Sequence, residues 1–446
     1  MAAKGVGSIL VLGSAGELDG IVTDRDLRNR VLAEGRSADE PVTAIMTTPV
    51  ITVSPEAFVF EALLEMTRRD IHHLPVVEGG RVIGMLSSHD LLLVQAATPL
   101  ELGRVIQSRQ TLEELEAIMP ELTRASHGLF EQGLTGYEMG RIVSELNDLV
   151  IRRVLVFAEA EIGAPPGAYC WLVLGSEGRR EQTLRTDQDN ALVYADPTPL
   201  LQDQTQSYFT TFAERVIAGL IRLGYPPCPA GSMASNPQWC QPLAVWRAYF
   251  DAWVRDPDPQ HLLYSSIYFD FRPIAGAGEL AETLRNEIRH QIRAWRSFPR
   301  HLGKIAVSHA PPLGLFRRFV LERTAEGRGI DVKLGGMLLL VNALRAYAVE
   351  LGLDETNTIE RLHAAARVAG CFTDGETEDV RQAYETLFHF RLRHQLACIA
   401  RGKKPDNFLD PYALSSGEQR RLREAFRTIR RLQGKVESRY FTEGLQ

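Results

Sequence analysis

The sequence predicts a chain of several domains, α/β through the first part and all-α at the end. Three observations carry this. The chain has 446 residues and 45% hydrophobic content, too much for one core and suited to two to four domains. Residues 1–97 hold an imperfect repeat of apolar hairpins, each leading into a helix. From residue 168 a short apolar strand ends on Gly-Ser, and a second strand follows an Asp-x-Asp. These patterns divide the chain into 1–97 (repeat), 98–165 (helical connector), 166–278 (α/β domain) and 279–446 (helical domain).

In the repeat, GSILVLGSAGELDGIVTDRDLRNRVL corresponds to HHLPVVEGGRVIGMLSSHDLLLV. Each copy has two apolar runs around a glycine-containing turn, then T-x-x-D or S-x-x-D at a helix start. Between them, VTAIMTTPVITV gives a short strand. A helix follows Ser54-Pro55, with Phe58, Ala62, Leu63 and Met66 at helical spacing. The first copy lacks the entry strand and most of the first helix of the second. We therefore expect Met1 to be an internal methionine or the chain to be a fragment, with any site built from both copies incomplete. The connector repeats its apolar residues at three- and four-residue steps, ends at Ala164-Pro165-Pro166-Gly167, and shows no chemistry of its own.

The bulk numbers exclude some classes. A net charge of -6 argues against a nucleic-acid binder, which usually carries a basic surface. The five cysteines are scattered and none sits at C-x-x-C spacing, so neither a structural zinc site nor a disulfide framework is expected. The longest apolar runs are too short to span a membrane, and the N-terminus does not read as a signal peptide. A cytoplasmic setting is the expectation.

The chemistry concentrates in AYCWLVLGSEGRREQTLRTDQDNALVYAD, 168–196. Tyr169–Leu174 reads as a buried strand and Asn190–Tyr194 as a second. The Gly-Ser bend and the Asp-x-Asp then fall at the same end of adjacent strands. Residues i and i+2 of a strand share a face, so Asp187 and Asp189 can address one metal site. Gly175 permits close approach of a phosphate and Ser176 can donate a hydrogen bond. Arg179 and Arg180 bring positive charge, either for phosphate or to pair with the carboxylates. In SSIYFDFRPIAG the apolar residues alternate, which predicts a strand carrying Asp270 inward. An aspartate there is costly unless paired or metal-bound. We expect a metal or general-base role for it, with a salt bridge to arginine as the alternative; Asp251 is the runner-up. The loop 224–243 could cover a nucleotide through Asn236 and Trp239, unless Trp239 simply pins the loop.

Two resemblances rest on these residues. GIVTDRD (20–26), HHLPVV (72–77) and GMLSSHD (84–90) resemble the cystathionine-β-synthase (CBS) domain pair. That resemblance implies AMP or ATP bound through Thr23 and Asp26, then Ser87 and Asp90, although the same residue types are ordinary helix N-caps. It also implies a homodimer. GSEGRREQTLRTDQDNAL resembles the DNA polymerase β-type nucleotidyltransferases, and more closely a bacterial group joining CBS domains to a domain similar to the PII-protein uridylyltransferase catalytic domain. This resemblance covers roughly 98–440. It implies Mg2+ or Mn2+ at Asp187, Asp189 and Asp270, an NTP substrate, and a protein acceptor, a tyrosine hydroxyl in the closest characterised relatives. In the helical region it implies a substrate-binding domain, matched by GIDVKLGGM, FRLRHQLA and PDNFLDP. Lys333, Arg391, Arg393 and His394 there could contact triphosphate or acceptor. The alternatives are a non-catalytic nucleotide sensor or a small-molecule nucleotidyltransferase.

Overall fold

Alternating apolar residues pair first. Ser8–Leu12 (β1) and Leu18–Thr23 (β2) form an antiparallel hairpin with Ile9 opposite Val22. Thr23 closes the strand and caps the turn Asp24–Asp26, which continues as a wider helical segment, Leu27–Leu32. In the second copy, Val59–Arg69 (α1) precedes the antiparallel pair His73–Glu78 (β3) and Arg81–Ser87 (β4). The expected strand before α1 shrinks to two isolated bridges, Thr47 to Ile21 and Val53 to Val76. Pro49 and Pro55 lie on either side of Val53 and contribute no backbone N–H to a ladder. Ala62, Met66 and Leu74 make a small core.

The computed structural model describes residues 1, 6–14, 16–37, 39–57, 59–87, 99–184, 186–314, 318–324 and 327–441. Phe58 and Asp90 lie outside them. The chain separates into two compact units, Met1–Ser108 and Arg109–Gln446. The connector read at 98–165 is therefore divided. Pro99–Ser108 (α2) belongs to the first unit, and Leu112–Glu131 (α3) and Gly136–Ile162 (α4) belong to the second.

The second unit is built on a four-stranded sheet of order β7-β6-β5-β8: Tyr169–Val173 (β5), Asn190–Tyr194 (β6), Cys240–Pro242 (β7) and Arg272–Gly276 (β8). β5 is antiparallel to both β6 and β8, while β6 and β7 are parallel. Every residue of β5 and β6 is buried, which is why both read as continuous apolar runs. Gln202–Arg222 (α5) covers one face, its Phe209 and Phe212 against Tyr169, Tyr194 and Trp171. Leu243–Arg255 (α6), Pro259–Tyr268 (α7) and Gly278–Ala294 (α8) cover the other, around an aromatic cluster of Trp239, Trp246, Trp253 and Tyr268.

The alternation at 265–272 misleads. α7 runs to Tyr268, a turn follows, and strand begins only at Arg272. The helix start was present in the sequence: Asp258 accepts from His261 N at 2.8 Å, with Pro259 at the first helical position. Short apolar runs do not distinguish helix from strand by period alone.

The C-terminal bundle comprises Phe298–Val307 (α9), Leu338–Leu351 (α10), Thr358–Ala366 (α11), Asp374–Ala400 (α12) and Ser416–Phe441 (α13). Its core joins Leu340, Leu344, Leu387 and Phe426 to Met139 and Val143 of α4. The helical bundle expected there also carries a small sheet: Glu322–Thr324 (β9), Gly327–Asp331 (β10) and Phe408–Leu409 (β11), in the order β11-β10-β9. Among the described residues one helical stretch, Lys333–Leu351, is long and apolar enough to cross a membrane, and 67% of its most apolar window is buried within the protein.

Candidate active site

The β5–β6 ladder brings the two key segments together. Val173 pairs with Asn190, and one step further Leu174 N donates to Asp189 O at 2.9 Å. The chain then turns at Gly175, whose φ of +54° is left-handed. A Cβ there would lie 3.1 Å from Asp189 Oδ2, so the Gly-Ser bend packs directly against the second aspartate. Gln188, between the two acids, is buried and donates through Nε2 to Tyr225 O. Gln188 N donates to Pro226 O, and Asn190 Oδ1 accepts from Ala234 N. These bonds fasten the loop after α5 to the site.

Asp187 and Asp189 are both partly exposed, and their carboxylates lie with the Cys228 thiol inside a 4.8 Å span. Burial raises the Asp189 carboxyl to about 6; a hydrogen bond from Cys228 opposes this and neighbouring Asp187 adds to it. Burial also pushes the Cys228 thiol up to about 11, so it stays a neutral donor. Two carboxylates are a hard donor set that suits Mg2+ or Mn2+ with the remaining positions left to water and phosphate. The residues present therefore fit such an ion.

Lys333 Nζ stands 3.8 Å from Asp187 Oδ1. Both line a cleft of about 570 Å³ together with Arg391, Lys404, Leu184 and Pro226. Arg391 is buried, which lowers its pKa to about 10, and its Nε donates to Asn407 Oδ1. The helices read as a connector without chemistry wall this cleft through Met119, Leu122, Leu146 and Asn147.

Asp270 is elsewhere. It is fully buried and pairs with Arg345 and Arg361 at 2.6 Å each and with Arg179 at 2.8 Å. The burial that would raise its pKa is outweighed by the arginines, which hold its carboxyl well below the usual range. The expected metal or general-base role gives way to the salt-bridge alternative, with three partners instead of one. Arg179 is corrected with it. Its Nε donates to Glu181 and its Nη1 to Asp270, so the guanidinium anticipated for phosphate is committed to the interior. Glu181 in turn accepts from Thr358 N, and Asn357 donates to Arg179 O. The 178–181 segment is thereby tied to the start of α11. Gly178 permits this: a Cβ there would overlap Asp270 O at 1.7 Å.

The other expected residues distribute as follows. Ser176 is partly buried, one residue beyond Gly175. Asp251 pairs with Arg255, one turn along α6. Trp239 is buried against Tyr268 with ring centroids 4.3 Å apart, and Asn236 caps its own turn, so both pin the loop. Arg393 pairs with Glu418 and His394 with Asp406. In the first unit, Thr23 Oγ1 donates to Asp26 Oδ2 at 2.7 Å within a reciprocal capping box, and Ser87 ends β4 opposite His73.

A family model described as "Putative nucleotidyltransferase DUF294" matches residues 120–260. A second, "Putative nucleotidyltransferase substrate binding domain", matches 296–440, and a CBS domain model matches 42–97. The chain thus joins a CBS domain to a DUF294 putative nucleotidyltransferase domain and its substrate-binding domain. Curated relatives match its N-terminal part. "CBS domain-containing protein CBSCBSPB2" of Arabidopsis thaliana is 44% identical over 87 residues, 19% of this chain and 16% of that protein. The match thus spans about a sixth of that relative's length. "Uncharacterized protein MK0525" of Methanopyrus kandleri is 37% identical over 21% of this chain and 50% of its own. Among solved structures, "a putative signal-transduction protein with CBS domains" from Burkholderia ambifaria MC40-6 is 37% identical over 22% of this chain and 75% of that one, with a TM-score of 0.20.

Within this DUF294 chain, sequence reasoning missed Cys228 and Lys404. Cys228 sits in PPCPAG, where nothing local points to a carboxylate. Lys404 belongs to a Gly-Lys-Lys-Pro turn that reads as solvated surface.

Proposed function

We propose that this DUF294 chain is a metal-dependent nucleotidyltransferase that moves a nucleoside monophosphate from an NTP to a protein acceptor, in the manner of PII uridylyltransferases. One observation carries the reading: Asp187 and Asp189 converge beside the Gly175 bend, next to a cleft that also holds Lys333, Arg391 and Lys404. The two aspartates would hold Mg2+ or Mn2+, which neutralises phosphate charge and aligns the attacking and leaving oxygens. The three cations answer the triphosphate. Lys333 is close enough to Asp187 to be handed from carboxylate to phosphate when the site fills. Arg391 keeps its proton at neutral pH and is held in place by Asn407. The apolar walls, Leu122, Leu184 and Pro226, offer a dry surface to a base.

In the first unit, Thr23 and Asp26 together with Ser87 are the side chains proposed to receive the ribose of AMP or ATP, which would report adenine-nucleotide levels to the enzyme. A ribose there would compete with the Thr23–Asp26 hydrogen bond. A cytoplasmic homodimer is part of the same reading.

One observation favours a second reading, a nucleotide sensor without turnover. Among the described residues no third carboxylate joins Asp187, Asp189 and Cys228 in the 4.8 Å group, and Asp270 is held by arginines. The test is to incubate the protein and Mg2+ with each of the four α-labelled NTPs and a cell extract. The enzyme reading expects a labelled protein band that disappears with Asp187→Asn. Calorimetric NTP binding with no label on any acceptor selects the sensor.

A further inference from the structure

A second cavity, of about 550 Å³, lies between α8, the α10–α11 connection and the Phe269–Phe271 turn, with Asp187 and Lys333 absent from its walls. Its size is that of a small-ligand pocket. Its chemistry is cationic. Arg285, Arg289, Arg293, Arg296 and Arg361 line it, against the acids Glu350, Asp354 and Glu355. The acids are partly spent: Glu350 takes Arg439 and the Tyr440 hydroxyl, and Asp354 takes Arg289. Arg293 and Arg296 are exposed and form no ion pair among the described residues.

The deciding group is Arg361. Its side chain is 5% exposed, Nη2 donates to Asp270 and Nε to Glu355 O. Nη1 is buried and has no hydrogen-bond partner. A buried charged donor left unsatisfied is costly, and Arg361 is among the residues that line this cavity.

We propose that this cavity binds a small phosphorylated molecule, its phosphate accepting from Arg361 Nη1 and from the arginines of the α8 face. Guanidinium groups match phosphate oxygens in geometry as well as charge. Phe269, Phe271 and Ile292 give the rest of such a ligand an apolar surface. The same guanidinium also holds Asp270, so the bound phosphate rests on the cluster that anchors the 178–181 segment.

The test is calorimetric titration of the full chain with inorganic pyrophosphate in the presence of a chelator. The variant Lys333→Gln/Lys404→Gln removes cations of the first cleft, and binding is expected to persist in it. The variant Arg293→Gln/Arg296→Gln changes only exposed side chains and is expected to weaken binding about tenfold. Arg361→Gln, checked for folding by circular dichroism, is expected to weaken it at least as much. Absence of pyrophosphate binding in the wild type, or a loss confined to the Lys333/Lys404 variant, overturns the proposal.

Discussion

Two carboxylate sites in the second unit share a residue type and little else. Asp187 lines a cleft and Asp189 lies beside it, both partly exposed, with Lys333 at 3.8 Å from Asp187 and the Asp189 carboxyl raised to about 6. Asp270 is sealed from solvent, met by three guanidiniums, and held well below the usual carboxylate range. The first arrangement leaves negative charge under-compensated, as the proposed metal site requires. The second over-compensates it and leaves no lone pair for a metal. Proximity to the Gly-Ser segment does not separate them, since a Cβ at Gly178 would meet the Asp270 backbone oxygen at 1.7 Å and one at Gly175 would meet Asp189 Oδ2 at 3.1 Å. The compensation of charge does.

This contrast predicts opposite phenotypes. Asp187→Asn should abolish labelling by about a thousandfold, the several kcal/mol a metal ion contributes to phosphoryl-type transfer, with nearly unchanged urea unfolding. Large destabilisation by this change would mean that the pair is structural after all. Asp270→Ala should show the reverse priority, losing about 3–5 kcal/mol of stability in the same unfolding experiment because three buried cations lose their partner. A stable but inactive Asp270→Ala protein would return that residue to the catalytic set. Lys333→Gln should raise KM for the NTP about tenfold, the value of one hydrogen bond to a charged group, with a smaller change in kcat.

The smallest effect concerns pH. Native Asp270 binds a proton less readily than in the unfolded chain, so its stabilisation is fully present at neutral pH. It is lost as pH falls below about 4, where the unfolded state protonates first. Stability profiles of wild type and Asp270→Asn should therefore converge towards low pH. Parallel profiles would show that the arginines do not govern its titration.

The legible parts of the sequence were those decided locally. β5, the Gly-Ser bend and the Asp-x-Asp are contiguous, and a ladder between neighbouring strands fixes their relation. Asp270 was misread because its partners Arg345 and Arg361 lie 75 and 91 residues away on α10 and α11, and no periodicity announces them. The alternation around it also hid the end of a helix. Arg179 failed for the same reason, although Glu181 two residues on was a local hint. Trp239 shows the limit of composition: a tryptophan in a loop reads equally as ligand contact or anchor, and only the aromatic cluster beneath it decides.

Binding of Mn2+ together with an NTP, followed by electron paramagnetic resonance, addresses the pair most directly. Wild type and Asp270→Asn, once shown to be folded, should both immobilise Mn2+, whereas Asp187→Asn/Asp189→Asn should leave it free in solution. Retention of bound Mn2+ by the double variant, or its loss only on changing Asp270, would contradict the assignment.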